Sequence, residues 1–465
     1  MNDAAAPAAA PRLSWRFPAT FWFANVAELF ERAAYYAMFI GLTLYLTNRV
    51  GFNDVHAGWV GAFFSFGLYL LPVFMGTFAD AIGFRPALML AFALLTAGYG
   101  LLGAFQLKST ALLSLALIML GGAIVKPVIL GTAAKCSDAD HRARAFSIFY
   151  FMVNVGSFTG KTVAAPLREK LGLEYINFYA AAMAFTALVL VAAAYRSPDA
   201  AGRGRSFLQL LRDFFEVLGN GRFMCLIVII AGFWLIQGQL YASMPKYILR
   251  LVGAGAKPEW LANINPLVVV TCVVPITHLV RHMKPASSIA IALCIIPLSA
   301  LAVALSPILQ GSAGNSVSIL GLFSLHPVTV MVILGIGLQG LAECFLSPKF
   351  MEFASKQAPR GQEGMYMGFQ NLPTSIAWFL GFMMSGYLLD AFCPDPARLA
   401  TTDPAAHAQW QAALAGQGSM PAAYASAHYI WYVFAGVGVA AFLALLVFKA
   451  VTEASDRRPA APPRA

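Results

Sequence analysis

The stretch "ELFERAAYY" places Glu28, Glu31, Arg32, Tyr35 and Tyr36 inside an otherwise apolar run. They step i, i+3, i+4, i+7, i+8, which at about 3.6 residues per turn confines them to one helical stripe about 140° wide. A carboxylate on such a stripe is pulled two ways. Burial favours its protonated form and a neighbouring guanidinium its charged form, so it can load and release a proton near neutral pH. Arg32 follows Glu28 at the spacing of a helical ion pair. A plain alternative is an ion pair that only staples two helices, but three charges are more than a staple needs. Lys126, Lys161 and Glu343 stand alone in other apolar runs, with Lys349 and Glu352 nearer a helix end. Ionisable residues in lipid are costly and usually face a cavity or each other. Pro127 and Pro348 follow Lys126 and Glu343, where transporter helices commonly bend.

The elements that must position these groups are membrane helices. The 465 residues are 59% hydrophobic and only 11% charged, with a mean hydropathy of +0.70, whereas soluble domains are about 25% charged. Long apolar blocks rather than alternation favour an all-α membrane protein over a barrel. A crossing needs about 20 apolar residues, and twelve such spans can be traced: 18–47, 55–78, 86–106, 110–135, 145–167, 173–195, 222–248, 258–280, 285–309, 326–355, 364–390 and 427–450. Of the 31 Lys and Arg residues, nineteen fall on the side of the N-terminus, eight on the other and four within spans. That bias puts both termini in the cytoplasm, in a plasma (inner) membrane. Topology therefore explains the net charge of +10, and nucleic acid is not an expected partner.

Two tails (1–17 and 453–465) read as disordered, and two six-helix bundles (18–196 and 222–452) flank a linker, 197–221. Within the linker "SFLQLLRDFFEVL" has the apolar spacing of an interfacial helix. Lys126 in span four and Glu343 in span ten lie at similar depths in counterpart spans of the two halves. They are expected to face each other across a central cavity. The long loop "CPDPARLATTDPAAHAQWQAALAGQGSMPAAYASA" carries no functional signal, though Trp410 can pack locally. Six cysteines and seven histidines are scattered without metal-ligand spacing. No nucleophile–base pair or phosphate loop is present either, so neither an enzyme, a metal nor a cofactor is expected.

"GTFADAIGFRP" after span two, with Gly76, Asp80, Gly83 and Arg85, resembles the loop signature of the major facilitator superfamily. Small residues there permit a tight turn, and Asp80 and Arg85 can latch a gate. The E-x-x-E-R-x-x-Y-Y stripe resembles the first-helix signature of the proton-coupled oligopeptide transporter family within that superfamily. Further segments match in order: "YLLP" with Tyr69 and Pro72, "GGAIVKPVILG" with Lys126, and "FYFMVNVGS" with Phe149, Tyr150, Asn154, Gly156 and Ser157. "INPL" with Asn265 and Pro266 follows, then "AECFLSP" with Glu343, Ser347 and Pro348, and "QAPRGQEGMYMG" with Pro359, Met367 and Gly368. The resemblance implies twelve transmembrane helices in two six-helix bundles, the major facilitator fold. It implies that Glu28, Glu31 and Arg32 couple proton movement to transport by exchanging partners with Lys126. Tyr35, Tyr36 and Tyr69 would line a peptide pocket, and Asn154, Asn265 and Glu343 would hold the peptide amino terminus.

The chain also departs from that family. Phe39 stands where an arginine usually helps hold the peptide carboxylate. "FWLIQGQLY" has Gly238 where a glutamate usually pairs with the fourth-helix lysine, leaving Trp234 and Gln237 as the seventh-span binding candidates. "GFQN" puts Gln370 where a tryptophan is usual. Lys161 is a cation the pattern does not contain. It can replace the cation missing at Phe39, meet a substrate anion, or snorkel outward. The expected function is proton-coupled import of di- or tripeptides or peptide-like compounds by a monomer in the lipid bilayer. The alternative cargo is a non-peptide zwitterion, amine or anion.

Overall fold

The computed structural model describes residues 17–138, 141–197, 207–319, 321–357 and 369–456. Among these, nine helices are long and apolar enough to cross a membrane, and a bent pair makes ten. Two more are long enough but less apolar: one carries the charged stripe and the other an interior lysine among small polar residues. The twelve are α1 (Ala19–Asn48), α2 (Asp54–Leu70 with Pro72–Ile82), α3 (Phe84–Ala104), α4 (Lys108–Lys135), α5 (Arg142–Lys170) and α6 (Leu173–Ala194). The second bundle holds α7 (Gly221–Ala242), α8 (Ile264–Leu279), α9 (Pro285–Ala304), α10 (Pro327–Gln357), α11 (Leu372–Phe392) and α12 (Tyr429–Asp456). The end at which α1 begins and α12 finishes is called terminal below, and the opposite end distal.

Local chemistry sets several boundaries. The Asn53 side chain accepts a hydrogen bond from the His56 backbone N–H and starts α2. Pro72 cannot donate to the helical ladder, and α2 bends there by 51°. Gly83, at φ +92°, makes the turn into α3. α12 remains helical to Asp456, through the first four residues of the tail expected from 453. The linker helix forms as the spacing predicts, over Phe207–Leu218. Its Phe214 packs against Phe74 of α2 and Phe369 just before α11.

Connections at the distal end hold more structure than sequence suggested. A hairpin pairs Val317–Ile319 with Phe323–Leu325 between α9 and α10. The long loop after α11 contains helices Pro396–Thr402 and Pro404–Leu414. Trp410 does not pack only within that loop, because its indole N–H donates to the Arg250 carbonyl at 2.8 Å. Arg250 belongs to Met244–Val252, a distal extension of α7.

The two bundles are clamped together at the distal end. Asp54 of α2 is 2% exposed and accepts from Lys246 at 2.6 Å and from Arg250 at 2.8 and 3.0 Å. Arg168 of α5 pairs with Glu259 and donates to the Ala256 carbonyl. Below these pairs α2 crosses α11 closely: a Cβ on Gly58 would lie 2.7 Å from the Phe382 carbonyl oxygen, and one on Gly386 2.7 Å from that of Asp54. Small residues let helix backbones approach in this way. Removing one member of a buried ion pair costs about 3–5 kcal/mol because a charge is left uncompensated. Asp54→Asn is therefore expected to loosen the distal joint. A membrane-impermeant maleimide should then label Cys393, fully buried beside Arg250, much faster than in the unaltered chain. Unchanged labelling would show that the clamp does not hold the joint.

Candidate functional site

On α1 the five-residue stripe faces the interior as its spacing requires. Glu28 and Glu31 are each 1% exposed, and Arg32 between α1 and its neighbours is half-buried. The Arg32 guanidinium bonds the Glu31 carboxylate, and its Nε lies 3.2 Å from Glu28 Oε1. It also lies over the Tyr35 ring, 5.3 Å from the centroid. The "NVGS" segment explains how α5 meets this charged face. A Cβ on Gly156 would fall 2.6 Å from the Leu29 carbonyl oxygen and 2.7 Å from Arg32 Cβ. One on Gly160 would fall 2.3 Å from the Ala33 carbonyl oxygen. The glycines thus seat α5 directly against the charged stretch of α1, a small-xxx-small contact.

Lys126 of α4 is half-buried and within electrostatic range of Glu28, Glu31 and Arg32. It therefore belongs with the first-helix cluster. Lys126 was expected to face Glu343 across the cavity; Lys161 lies within electrostatic range of Glu343. Lys161 does not snorkel outward. It is 1% exposed, donates to the Ala262 carbonyl at 3.2 Å, and lies 5.4 Å from the centroid of Tyr36. The reason is geometric, since Gly160 draws this face of α5 inward onto α1.

Glu343 of α10 forms the second anionic centre. Gln237 of α7 donates to it at 2.6 Å and Asn265 of α8 at 3.5 Å. The Gln237 Oε1 and Trp234 Nε1 atoms are buried and have no hydrogen-bond partner among the described residues. An ammonium would meet the carboxylate and the Gln237 oxygen together, in keeping with its need for several acceptors. Tyr36 spans the two centres, within electrostatic range of both Glu343 and the Glu28/Glu31/Arg32 cluster. Tyr150 of α5, absent from the expected binding set, is within range of Glu343 and half exposed. Its place in the "FYF" run offered the only sequence signal. Asn154 was expected to join the amine site, but its amide donates to the Tyr150 carbonyl on its own helix. The side chain of Gln370, and residues Pro359, Met367 and Gly368, lie outside the described residues.

The positions that depart from the expected pattern are filled by aromatic rings. Phe39 is fully buried, stacked on Tyr35 at 4.9 Å and on Trp378 of α11 at 5.3 Å with only 11° between planes. Tyr69 meets the edge of the same indole at 4.9 Å. A Cβ on Gly238 would lie 3.0–3.1 Å from the Trp378 ring atoms, so the glycine makes room for the indole. Tyr36, Tyr69, Lys126, Asn265 and Glu343 remain partly accessible while the distal joint is buried. In the first turn of α3, Arg85 donates to the Ala192 carbonyl at 2.6 Å, capping α6. Asp80 is half-buried and makes no ion pair with Arg85 among the described residues; Gly76 packs beside Pro127.

Two bundles with an ionisable cavity between them define a transporter architecture, and the chain's own sequence carries the matching family pattern. The pattern of the Major Facilitator Superfamily matches residues 24–320. The chain belongs to the major facilitator superfamily. It is thus an integral, multi-pass membrane protein and a transporter. Among curated relatives, multidrug resistance protein MdtH of Blochmanniella floridana is 21% identical over 370 residues, 79% of this chain and 86% of that protein. MdtH of Cronobacter sakazakii is 23% identical over 330 residues, 69% of this chain and 74% of its own. Solved structures with the same fold include a peptide transporter POT in complex with sulfate, at TM-score 0.72, 18% identity and 96% of each chain. The POT family transporter PepTSo aligns at TM-score 0.70 and 17% identity over 94% of this chain and 99% of that one. A POT family transporter in complex with 5-aminolevulinic acid aligns at TM-score 0.69 and 16% identity, over 92% and 95%.

If Lys161 balances Glu343, the two must be coupled energetically. Lys161→Met alone is expected to destabilise the protein by about 3–5 kcal/mol, the cost of orphaning a buried charge. Lys161→Met with Glu343→Gln should recover part of that loss, with a coupling of about 0.5–3 kcal/mol. Thermal or denaturant unfolding of the four members of the cycle measures it. Strict additivity would show the two groups to be independent.

Proposed function

We propose that the chain is a proton-coupled secondary transporter of the major facilitator fold that carries amine-bearing, peptide-like solutes by alternating access. The observation that carries this reading is the division of carboxylates between the bundles. Glu28 and Glu31, held by Arg32 on α1, form a proton station, and Glu343, held by Gln237 and Asn265, forms an amine station. Lys126, in range of the first cluster, is the cation that exchanges carboxylate partners as Glu31 gains and loses its proton. Tyr35, Tyr36 and Tyr69 connect the stations. The distal clamp of Asp54, Lys246 and Arg250 would open as the bundles rock, and the loop of Gly76, Asp80, Gly83 and Arg85 acts at the terminal end. Both termini lie in the cytoplasm, the membrane is the plasma (inner) membrane, and the working unit is a monomer. Import follows from the inward proton gradient when proton and solute move together.

A zwitterion or amine other than a peptide suits the same amine station. The bound 5-aminolevulinic acid of one solved neighbour supports this reading, as does the multidrug resistance naming of the sequence relatives. Efflux would reverse the sign of coupling, so transport direction separates the two. In proteoliposomes with an imposed proton gradient, Glu31→Gln is expected to abolish uphill accumulation of a labelled dipeptide while preserving counterflow exchange. Normal uphill uptake by that variant would sink the proton assignment, and gradient-driven expulsion would replace import by antiport.

A further inference from the structure

Resting on the assignment of Glu343 to the cargo's amine, we propose that Lys161 is a positioning residue that ties the amine station to the closed distal end. A cargo ammonium on Glu343 takes away the anion that balances Lys161, and the seam that Lys161 holds then loosens. Along its distal half, α5 is joined to residues 256–263 of the second bundle by a ladder of polar contacts. Lys161 donates to the Ala262 carbonyl at 3.2 Å, and Asn263 to Thr162 Oγ1 at 3.0 Å and to the Phe158 carbonyl at 3.3 Å. The Trp260 indole donates to the Thr162 carbonyl at 3.1 Å. Pro166 explains that contact: it has no N–H to give, so the carbonyl four residues earlier is left open to the indole. Further out, Arg168 pairs with Glu259 and bonds the Ala256 carbonyl, and Lys257 lies 3.7 Å from Glu169.

Lys161 stands at the inner end of this ladder and is its least satisfied member. An ammonium has three donor hydrogens, and the Ala262 carbonyl is the one acceptor bonded to it among the described residues. The Tyr36 ring covers it at 5.4 Å from the centroid, and the carboxylate within electrostatic range is Glu343. A buried ammonium without a counter-charge is strongly disfavoured. The negative charge of Glu343 is therefore what lets Lys161 stay protonated on the seam.

Backbone joins the two groups as well as charge. Ala262, which Lys161 holds, lies three residues before Asn265, which donates to Glu343 at 3.5 Å. Glu343 and Asn265 are partly accessible, whereas Lys161 and Ala262 are closed in. A ligand thus reaches the carboxylate without touching the lysine, and its effect on the seam passes through Lys161. Once an ammonium holds Glu343, Lys161 is a buried charge facing only a carbonyl. The arrangement that relieves it is one in which α5 and residues 256–263 part and water reaches Nζ. A ligand shifts a conformational equilibrium by its differential affinity for the two states, so the amine favours opening of the distal end.

Hydrogen exchange of the backbone amides in residues 256–263, read by mass spectrometry on the full-length chain in nanodiscs, tests the link, because exchange reports local opening. Glu343→Gln removes the charge as an ammonium would, and exchange in this segment is expected to rise about tenfold, within the range of coupling between buried neighbours. Glu343→Asp keeps the charge and should leave exchange slow. Lys161→Met with Glu343→Gln leaves no charge to relieve and should bring exchange back toward the rate of the unaltered chain. Slow exchange in Glu343→Gln, equal exchange in the Gln and Asp variants, or fast exchange that persists in the double variant overturns the link. On the unaltered chain, L-alanyl-L-alaninamide, which brings no carboxylate to stand in for Glu343, should speed the same amides at saturation. Its N-acetylated form should not. Titration calorimetry on the same sample separates the two readings. Failure of the alaninamide to bind overturns the amine station, whereas binding that leaves these amides slow overturns the link and leaves the station standing.

Discussion

A charged side chain at the centre of a bilayer costs about 2.5–3.5 kcal/mol on insertion scales, and the heart of this chain holds six. They persist because each is set against a neighbour: Arg32 against Glu28 and Glu31, Lys161 against Glu343, and Lys126 within reach of the first group. The packing serves this balance. Gly156 and Gly160 bring α5 onto α1 so that Arg32 is sheltered, and Gln237 and Asn265 converge on Glu343 from α7 and α8. In the proposed transporter, a proton or a charged solute added to this cluster would disturb the balance, and coupling of one to the other would rest on that disturbance.

The distal end bears the mechanical counterpart. Asp54 takes two cations from the opposite bundle, Arg168 reaches across to Glu259, and the rings about Phe39 fill the space beneath. Most distal cations are consumed in such pairs, Arg49 with Glu174 included. The excess positive charge at the terminal side is therefore not matched by free charge on the other. On the second bundle the clamping residues sit on short helices, Met244–Val252 and Pro258–Leu261, while their partners Asp54 and Arg168 sit at the distal ends of α2 and α5.

Much of this was legible because lipid imposes simple rules. Apolar length gave the spans, and the spacing of Glu28 to Tyr36 gave the buried stripe. What escaped depended on which faces of which helices meet. Lys161 could not be assigned from its own surroundings, because its direction is set by glycines five and one residues away that pack on α1. Lys126 and Glu343 sit at similar depths, yet depth along two helices does not fix which cation faces which anion. The two loop helices after α11 have no apolar periodicity of their own, and Trp410 finds its partner 160 residues away in sequence. Trp378 passed unnoticed in an apolar span, although it occupies the space left by both of the unusual residues.

That shared occupancy has a consequence for how the chain can change over evolutionary time. An arginine at position 39 would bury a charge among rings, and a glutamate at 238 would strike the indole. Each substitution alone is penalised while Trp378 remains, and losing Trp378 first would open a void between two buried surfaces. The three positions are therefore tied to one another: a charge at 39 or 238 is accommodated only if Trp378 changes as well.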